Sequence, residues 1–304
     1  MMDEGQRQAL AGIAPKGIQF DCPMAQYTTF RVGGKVEALC FIETLNDLRA
    51  VVCYVTEEGI PYLVVGRGSN LLVRDGGFKG VVFMLRGNLA SIEKSGKTEG
   101  MIVSGGGVTI VELLNYCREK GLGGLEFLAG IPGTVGGAVA MNAGAWGKDI
   151  GSRVQQVQMI TEHGELVTRE RSELLFSYRA LSIPEGTVIT KVRFELDRER
   201  SDIVAARMAG YLKERKARQP LEYPSGGSVF KNPPDDYAGR LIEMAGLKGK
   251  KIGGAMISPK HGNFIVNTGG AKAEDILALM NLAQRKVRKA AGIELELEIK
   301  VVGE

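Results

Sequence analysis

Cysteine and histidine are scarce in this chain of 304 residues, which has four of the first and two of the second. The cysteines are widely spaced and form no CxxC pair, so neither a disulfide framework nor a zinc site is indicated. We therefore expect no metal site, and thiols that stay reduced and serve packing. The residues concerned are Cys22, Cys40, Cys53, Cys117, His163 and His261.

Long apolar stretches and blocks of basic charge are lacking as well. No run of about 18 apolar residues occurs, and the N-terminal MMDEGQRQAL does not have the basic segment and apolar core of an export signal. These features argue against a membrane span and favour a cytoplasmic protein. The formal net charge is +4 without a basic cluster, so a nucleic-acid partner is not expected. A smaller anion is compatible with that charge.

Glycine is the residue in surplus. The chain has 42 glycines, about twice the roughly 7% usage of average proteins. Since glycine loses more freedom on folding than any other residue, such a surplus indicates sharp turns or main chain that approaches a ligand closely. The length predicts two or three domains. The apolar and charged fractions, 44% and 24%, are those of globular proteins.

Hydrophobic periodicity predicts both strands and helices. The N-terminal third contains a strand, helix and strand, followed by a hairpin whose turn is SGKTEG. Thr109 is the predicted N-cap of the next helix, and Gly121 is its end. The apolar residues of a helix over 273–290 recur at helical spacing, which indicates core packing. The other predicted strands and helices are KVEALCFIET, LNDLRAVVCYVTEEG, PYLVVG, VVFML, VQQVQMITEHGELVTRE, TVITKVRFELD, SDIVAARMAGYLKERKARQ and residues 237–245, 255–257 and 264–266.

Three glycine-rich loops have the composition of phosphate-binding loops. They are residues 66–70, 105–107 and 130–137. An ordinary glycine turn explains any one of them equally well, but their recurrence favours a ligand. None matches GxGxxG, so a dinucleotide fold other than the Rossmann fold is predicted. Residues 96–98, GKT, resemble the end of a P-loop but lie in a predicted hairpin turn, so an ATPase or kinase is not predicted.

Seven motifs in a fixed order carry a resemblance to a known family. They are residues 27–34, 66–70, 130–137, 141–144, 178–179, 227–233 and 298–300. With them the chain resembles the UDP-N-acetylenolpyruvoylglucosamine reductases over nearly its whole length. The resemblance implies an α+β fold of the vanillyl-alcohol-oxidase type. It also implies two FAD-binding subdomains, 1–85 and 86–198, and a substrate-binding domain, 199–304, whose last strand returns towards the active site.

The resemblance further implies a ligand set. The cofactor is FAD, NADPH is the hydride donor, and the substrate is UDP-N-acetylglucosamine enolpyruvate, in peptidoglycan precursor synthesis. Attachment of FAD should be non-covalent, because the histidines and cysteines lie outside the flavin motifs. The residues implied to bind FAD are Arg31, Gly66, Arg67, Gly68, Ser69, Asn70, Gly130, Pro132, Gly133, Thr134, Gly136, Gly137, Asn142 and Gly144.

Three residues match the catalytic positions of that family. Ser228 corresponds to the proton donor, Arg179 to the cation beside the substrate carboxylate, and Glu298 to a residue that stabilises or protonates the intermediate. By pattern alone each has an ordinary explanation. Ser228 is a polar turn residue, Arg179 a surface charge, and Glu298 a solvent-facing residue of the alternating strand IELELEIKVVG. Only the resemblance favours catalysis.

Tyr178, Arg218, Lys231 and Asn232 are the candidates for contact with the UDP-sugar, and Arg215 is a weaker one. After Tyr178 and Arg179 the chain enters the next strand directly, without the tyrosine-bearing insertion of the longer reductases, so the shorter subfamily is indicated. Two alternatives remain open. One is another FAD oxidoreductase of the same fold that acts on an alcohol or a different sugar nucleotide, and the other is a nucleotide-binding module without turnover.

Overall fold

The computed structural model describes residues 2–14, 17–94 and 99–304, which form two compact units. The first comprises the chain up to Phe20 together with Glu37–Gly66 and Gly80–Lys213. The second comprises Asp21–Val36, Arg67–Lys79 and Glu214–Glu304. Two N-terminal segments therefore belong to the same unit as the C-terminal region. The consecutive division at 85/86 and 198/199 stays a prediction.

Seven α-helices lie in the described residues, and none of them has the length and apolar character needed to cross a membrane. They are α1 Glu4–Ile13, α2 Leu45–Glu57, α3 Ile110–Lys120, α4 Val135–Ala140, α5 Ser201–Arg218, α6 Ala238–Met244 and α7 Ala273–Ala291.

The strands are mostly short. They are β1 Ile18–Pro23, β2 Lys35–Ile42, β3 Tyr62–Val64, β4 Leu71–Val73, β5 Phe78–Leu85, β6 Ile92–Lys94, β7 Met101–Gly105, β8 Leu122–Gly123, β9 Gly144–Ala145, β10 Lys148–Asp149, β11 Val154–Ile160, β12 Leu166–Glu170, β13 Phe176–Ser177, β14 Ala180–Leu181, β15 Val188–Glu195, β16 Asp197–Arg198, β17 Ser225–Ser228, β18 Lys251–Ile252, β19 Ala255–Ile257, β20 Phe264–Asn267 and β21 Lys300–Val302.

Two larger sheets build the first unit. One has the strand order β1-β2-β5-β3, and its apolar core is closed by α1 and α2. The other has the order β12-β11-β15-β7-β6, and it packs with α3 and α4 over a second core. Strand β5 separates β2 from β3 and pairs in parallel with β3. The two strands of the predicted strand, helix and strand thus lie in one sheet without being neighbours.

The second unit has the antiparallel sheet β17-β20-β19-β18 and the parallel pair β21-β4. Its core includes Ile276, Leu279, Met280, Ala283 and Val287, all at most 1% exposed. Each of these residues lies on the apolar face of α7, so the predicted packing role of that helix is confirmed.

Local signals explain why the predicted elements formed. Thr109 begins α3 with a capping box that it shares with Glu112, and Gly121 ends the helix in the left-handed conformation. The hairpin of β6 and β7 is antiparallel, as predicted. Residues 95–98 of its turn, including Lys97, lie outside the described residues, and so does the P-loop-like tripeptide.

One predicted strand forms regular strand pairing over only part of its length. In the segment IELELEIKVVG only Lys300–Val302 form a strand, and Leu297 makes a single bridge to Phe230. Leu295 and Ile299 are nevertheless buried. The alternation therefore identified the buried side correctly, while the main-chain partners change along the segment. Helix α1 was not predicted from the sequence.

Candidate active site

The first glycine-rich loop runs from Gly66 to Asn70, between β3 and β4. Gly68 has φ +58, and a Cβ on it would lie 2.2 Å from the carbonyl oxygen of Tyr27. Only glycine fits there. In the part of the chain that the structure describes, the amides of Arg67, Gly68 and Ser69 donate to no protein acceptor. Successive free amides at a left-handed turn form the concave donor set that binds anions.

The third loop, residues 130–137, leads into α4. The Thr134 hydroxyl accepts from the Gly137 amide at the start of that helix. A Cβ on Gly66 would lie 2.3 Å from the Thr134 Oγ1, so the first and third loops meet at this pair. Among the described residues, the amides of Gly130 and Gly133 have no protein acceptor. This loop therefore keeps donors for a ligand.

The second loop, residues 105–107, is different. The amides of Gly105, Gly106 and Gly107 donate to the carbonyls of Ser91, Thr190 and Leu89 at 2.7–2.8 Å. A Cβ on each glycine would lie within 2.5 Å of a main-chain oxygen. These glycines allow close packing and have no amide left for a phosphate. The prediction that this loop binds phosphate is wrong, although the Gly106 carbonyl supports the third loop by accepting from Gly136.

Arg179 is anchored to the segment that follows α4. It lies in the two-residue turn between β13 and β14 with φ +60, and its Nη1 donates to the Gly144 carbonyl at 2.9 Å. Tyr178, which is 55% exposed, has its ring 5.3 Å from the guanidinium carbon. Left-handed backbone at a non-glycine residue costs energy and is concentrated at functional sites. The predicted cation is thus half-buried and fixed in direction.

Asn142 connects the same two segments. Its Nδ2 donates to the Ser177 carbonyl at 2.9 Å, and its Oδ1 accepts from the Gly151 amide at 3.1 Å. The residue is 6% exposed and has φ +39. Each end of the side chain therefore has a protein partner, and these two bonds hold the segment after α4 against β13 and the residues before β11.

In the second unit, Ser228 and Glu298 are linked through the main chain of Val229. Ser228 ends β17, and the carbonyl of the next residue, Val229, accepts from the Glu298 amide at 2.9 Å. Asn70 holds the other side of Glu298, because its Nδ2 donates to the Glu298 carbonyl at 2.9 Å. The two predicted catalytic residues of this unit are therefore linked indirectly, through the hydrogen bond between Val229 and Glu298. Arg179 belongs to the first unit.

The motif at residues 27–34 supports the segment before Ser228. A Cβ on Gly226 would lie 2.3 Å from the Phe30 ring, and Gly227 has φ +80. Phe30 is fully buried, and its carbonyl accepts from Asn267 at 3.0 Å. Arg31 follows with φ +56 and an exposed side chain. The two glycines before Ser228 are therefore required by close packing and by a left-handed turn.

The predicted substrate residues have protein partners. Lys231 pairs with Glu296, Arg218 pairs with Glu214 on the same helix at 3.0 Å, and the Asn232 Oδ1 accepts from the Ala238 amide at 3.1 Å. Arg215 is buried, in contrast to Arg218, and donates to Gln219. Their role in substrate binding stays a prediction.

Sequence reasoning missed Asn263. It is 4% exposed and makes three hydrogen bonds to Val229 and Phe230, the two residues after Ser228. In the sequence Asn263 is a single polar residue before the apolar run FIV, and this pattern does not indicate a functional site. For Asn70 the sequence predicted only cofactor binding. It did not predict that the side chain binds the carbonyl of Glu298, 228 residues further along the chain.

The FAD binding domain family matches residues 36–169, and the C-terminal domain of UDP-N-acetylenolpyruvoylglucosamine reductase matches residues 219–302. With the α+β units, these matches define the class as an FAD-binding oxidoreductase. The predicted fold class, an α+β FAD-binding fold of the vanillyl-alcohol-oxidase type with a further C-terminal domain, is confirmed.

Individual proteins of one family are similar over nearly the whole chain. The UDP-N-acetylenolpyruvoylglucosamine reductase of Geobacter metallireducens is 45% identical over 285 residues, which is 93% of each chain. That of Listeria monocytogenes is 40% identical over 94% of this chain and 95% of its own. The crystal structure of the Thermus caldophilus enzyme covers 92% of this chain and 97% of its own, with 39% identity and a TM-score of 0.80. The chain belongs to the UDP-N-acetylenolpyruvoylglucosamine reductase family.

Proposed function

We propose that this protein reduces UDP-N-acetylglucosamine enolpyruvate to UDP-N-acetylmuramate, with NADPH as the hydride donor and FAD as the carrier, in peptidoglycan precursor synthesis. Family membership supports the reaction. The observation that carries the assignment to this chain is the hydrogen-bonded link between the Ser228 strand and Glu298. Since NADPH and nucleotide sugars are cytoplasmic metabolites, we propose that the enzyme works in the cytoplasm.

Each of the two glycine loops offers donors of the kind that bind a diphosphate, and we propose that they serve FAD. The amides of residues 67–69 are free to donate on the first loop. Those of Gly130 and Gly133 are free on the third loop, where Thr134 leaves no room for a Cβ on Gly66. Bound FAD supplies hydride transfer from NADPH to the substrate. We infer that the cofactor is held without a covalent bond. The other residues proposed to line its site are Arg31, Asn70, Pro132, Gly136, Gly137, Asn142 and Gly144.

The protein has to stabilise the negative charge that forms on the substrate and to supply the proton that neutralises it. When hydride reaches the terminal vinyl carbon of the enolpyruvyl ether, negative charge develops on the adjacent carbon and its carboxylate. The Arg179 guanidinium is proposed to pair with that carboxylate, where a fixed cation stabilises the developing charge. The half-buried setting of Arg179 strengthens this interaction, because the local dielectric constant is lower than in water.

Ser228 then transfers its hydroxyl proton to the adjacent carbon. A serine hydroxyl is a weak acid, but the carbon that it protonates is far more basic, so the transfer runs downhill. Glu298 is proposed to stabilise the intermediate or to share in the protonation. The main chains of both residues are linked through Val229, and we propose that this link keeps the two side chains at one site during the step.

The UDP part of the substrate carries two negatively charged phosphates. Lys231, Arg218, Asn232 and Tyr178 are proposed to contact it. The Lys231 ammonium is paired with Glu296 and is 30% exposed, so its charge is already oriented by a neighbour.

Absorption spectroscopy of the purified protein tests this function. We expect a yellow protein that releases intact FAD on denaturation. NADPH should bleach the flavin band without oxygen, and UDP-N-acetylglucosamine enolpyruvate should restore it with formation of UDP-N-acetylmuramate. UDP-N-acetylglucosamine, which lacks the vinyl group, is the matched control and should leave the band bleached. A colourless protein that takes up no FAD, or a flavin that the substrate does not reoxidise, would contradict the proposal.

A further inference from the structure

Asn263 lies in the turn before β20 and binds the two residues that follow Ser228. Its main-chain carbonyl accepts from the Val229 amide at 2.9 Å. Its side-chain Oδ1 accepts from the Phe230 amide at 2.9 Å, and its Nδ2 donates to the Phe230 carbonyl at 2.8 Å. The side chain thus pairs with both polar groups of Phe230 in the way that a neighbouring strand would.

The remaining polar group of this dipeptide is the Val229 carbonyl, which accepts from the Glu298 amide at 2.9 Å. Val229 and Phe230 are both at most 1% exposed, so no water is available to replace a lost partner. Asn263 satisfies three of the four main-chain groups and Glu298 the fourth. The positions of Ser228 and Glu298 therefore both depend on a dipeptide that Asn263 holds.

We propose that Asn263 is a positioning residue for the protonation step, which holds the Ser228 hydroxyl and the Glu298 carboxylate in register through Val229 and Phe230. This inference rests on the proposed function. It requires an amide at position 263, because one side chain must accept from Phe230 and donate to it at the same time. A carboxylate accepts only, whereas a protonated carboxylic acid again offers one donor and one acceptor.

The test compares Asn263→Ala and Asn263→Asp with the wild type as FAD-loaded enzymes in rapid-mixing experiments. For Asn263→Ala we expect flavin reduction by NADPH within about twofold of the wild type. Reoxidation by the enolpyruvyl substrate should be slower by about 10- to 100-fold, which is less than the roughly 10² to 10⁴-fold expected when a general acid is lost altogether. For Asn263→Asp, reoxidation at pH 8 should be slower than in the wild type, because a carboxylate cannot donate to the Phe230 carbonyl.

Thr268→Val is the matched control. It removes a hydrogen bond to the Gly254 carbonyl in the same unit without touching residues 228–230, and it should leave both half-reactions unchanged. Hydrogen exchange of the peptide that contains residues 228–232 should be faster in Asn263→Ala than in this control. In Ser228→Ala, adding Asn263→Ala should slow reoxidation by less than it does in the wild type, because both changes act on one step.

Equal slowing of both half-reactions in Asn263→Ala, or unchanged reoxidation, overturns the positioning role. If Asn263→Ala does not retain FAD, the reoxidation rate of Asn263→Asp at pH 8 decides, and a rate equal to that of the wild type overturns the proposal. The wild type separates the two proposals. If the substrate does not reoxidise the flavin of the wild-type enzyme, the proposed function is contradicted. If the wild type is active and Asn263→Ala is equally active, only the inference about Asn263 is contradicted.

Discussion

The side-chain amide of Asn70 donates a hydrogen bond to the main-chain carbonyl of Glu298 at 2.9 Å. The Asn70 carbonyl in turn accepts from the Lys300 amide at 3.0 Å, where β21 begins to pair with β4. A residue of the first glycine loop therefore fixes the segment that carries the candidate catalytic glutamate. Asn70 and the segment of Glu298 are therefore built as one arrangement within the second unit.

Replacing Asn70 with alanine tests this relationship. We expect slower reoxidation of the flavin by the enolpyruvyl substrate, because the Glu298 carbonyl loses its donor and the glutamate its fixed position. Loss of one hydrogen bond of this kind costs about 1 kcal/mol of stability. The two half-reactions and the FAD dissociation constant would be measured together. If only FAD binding weakens, Asn70 serves the cofactor alone.

Gly66→Ala should weaken FAD binding. The new Cβ would lie 2.3 Å from the Thr134 Oγ1, so the first and third loops must move apart, and such overpacking typically costs about 1–3 kcal/mol. Gly210→Ala is the control, because nothing lies within 4 Å of its Cβ and alanine favours a helix over glycine by about 1 kcal/mol. The flavin content and thermal stability of both variants would be compared. Full FAD occupancy in Gly66→Ala would place the cofactor elsewhere.

Ser228→Ala should keep FAD and should still be reduced by NADPH, because that half-reaction needs no proton from the protein. Reoxidation should slow by about 10² to 10⁴-fold, the usual contribution of a general acid, which is roughly 3–5 kcal/mol of barrier. Rapid mixing resolves the two half-reactions. Wild-type rates in both would show that Ser228 is only a turn residue.

The pH dependence of stability should report on His261. Burial, and then the charge of Lys248, lower the pKa of this imidazole below its ordinary value. The unfolded chain therefore binds the proton more readily, and stability is full above about pH 6.5 and falls as the pH falls below it. Protonation would also remove the Nδ1 acceptor of the Asn263 amide, which lies 3.2 Å away. Urea unfolding between pH 7.5 and 5.5 should show a smaller loss for His261→Gln than for the wild type, and equal losses would refute the assignment.

Thiol reactivity should be confined to Cys53 in the native protein. Burial raises the pKa of Cys40 and Cys117 to about 12, and Cys22 is buried as well. None of these four cysteines is in a disulfide, so an aromatic disulfide reagent should label one group quickly and all four after denaturation. Cys53→Ser should abolish the fast phase. A fast phase that persists in this variant would show that a core thiol is exposed by motion of the fold.

The glycine loops show what local sequence patterns can and cannot predict. The sequence identified three of them, and two keep free amides, whereas residues 105–107 donate every amide to Ser91, Thr190 and Leu89. Composition cannot separate these cases, because a glycine that approaches a ligand and a glycine that approaches another strand need the same lack of a side chain. The difference lies in partners that are distant in the sequence.

The sequence by itself determined the periodic elements, including α3 with its cap at Thr109 and the core face of α7, because their signals lie within a few residues of one another. It also determined the family, through short motifs that lie in a fixed order. Only the tertiary structure decided how those motifs meet. The bond between Asn70 and Glu298 joins residues 228 positions apart, and Asn263 finds its partners 33 positions away. Irregular main chain takes its hydrogen bonds wherever folding brings a donor to an acceptor, so no local pattern specifies them.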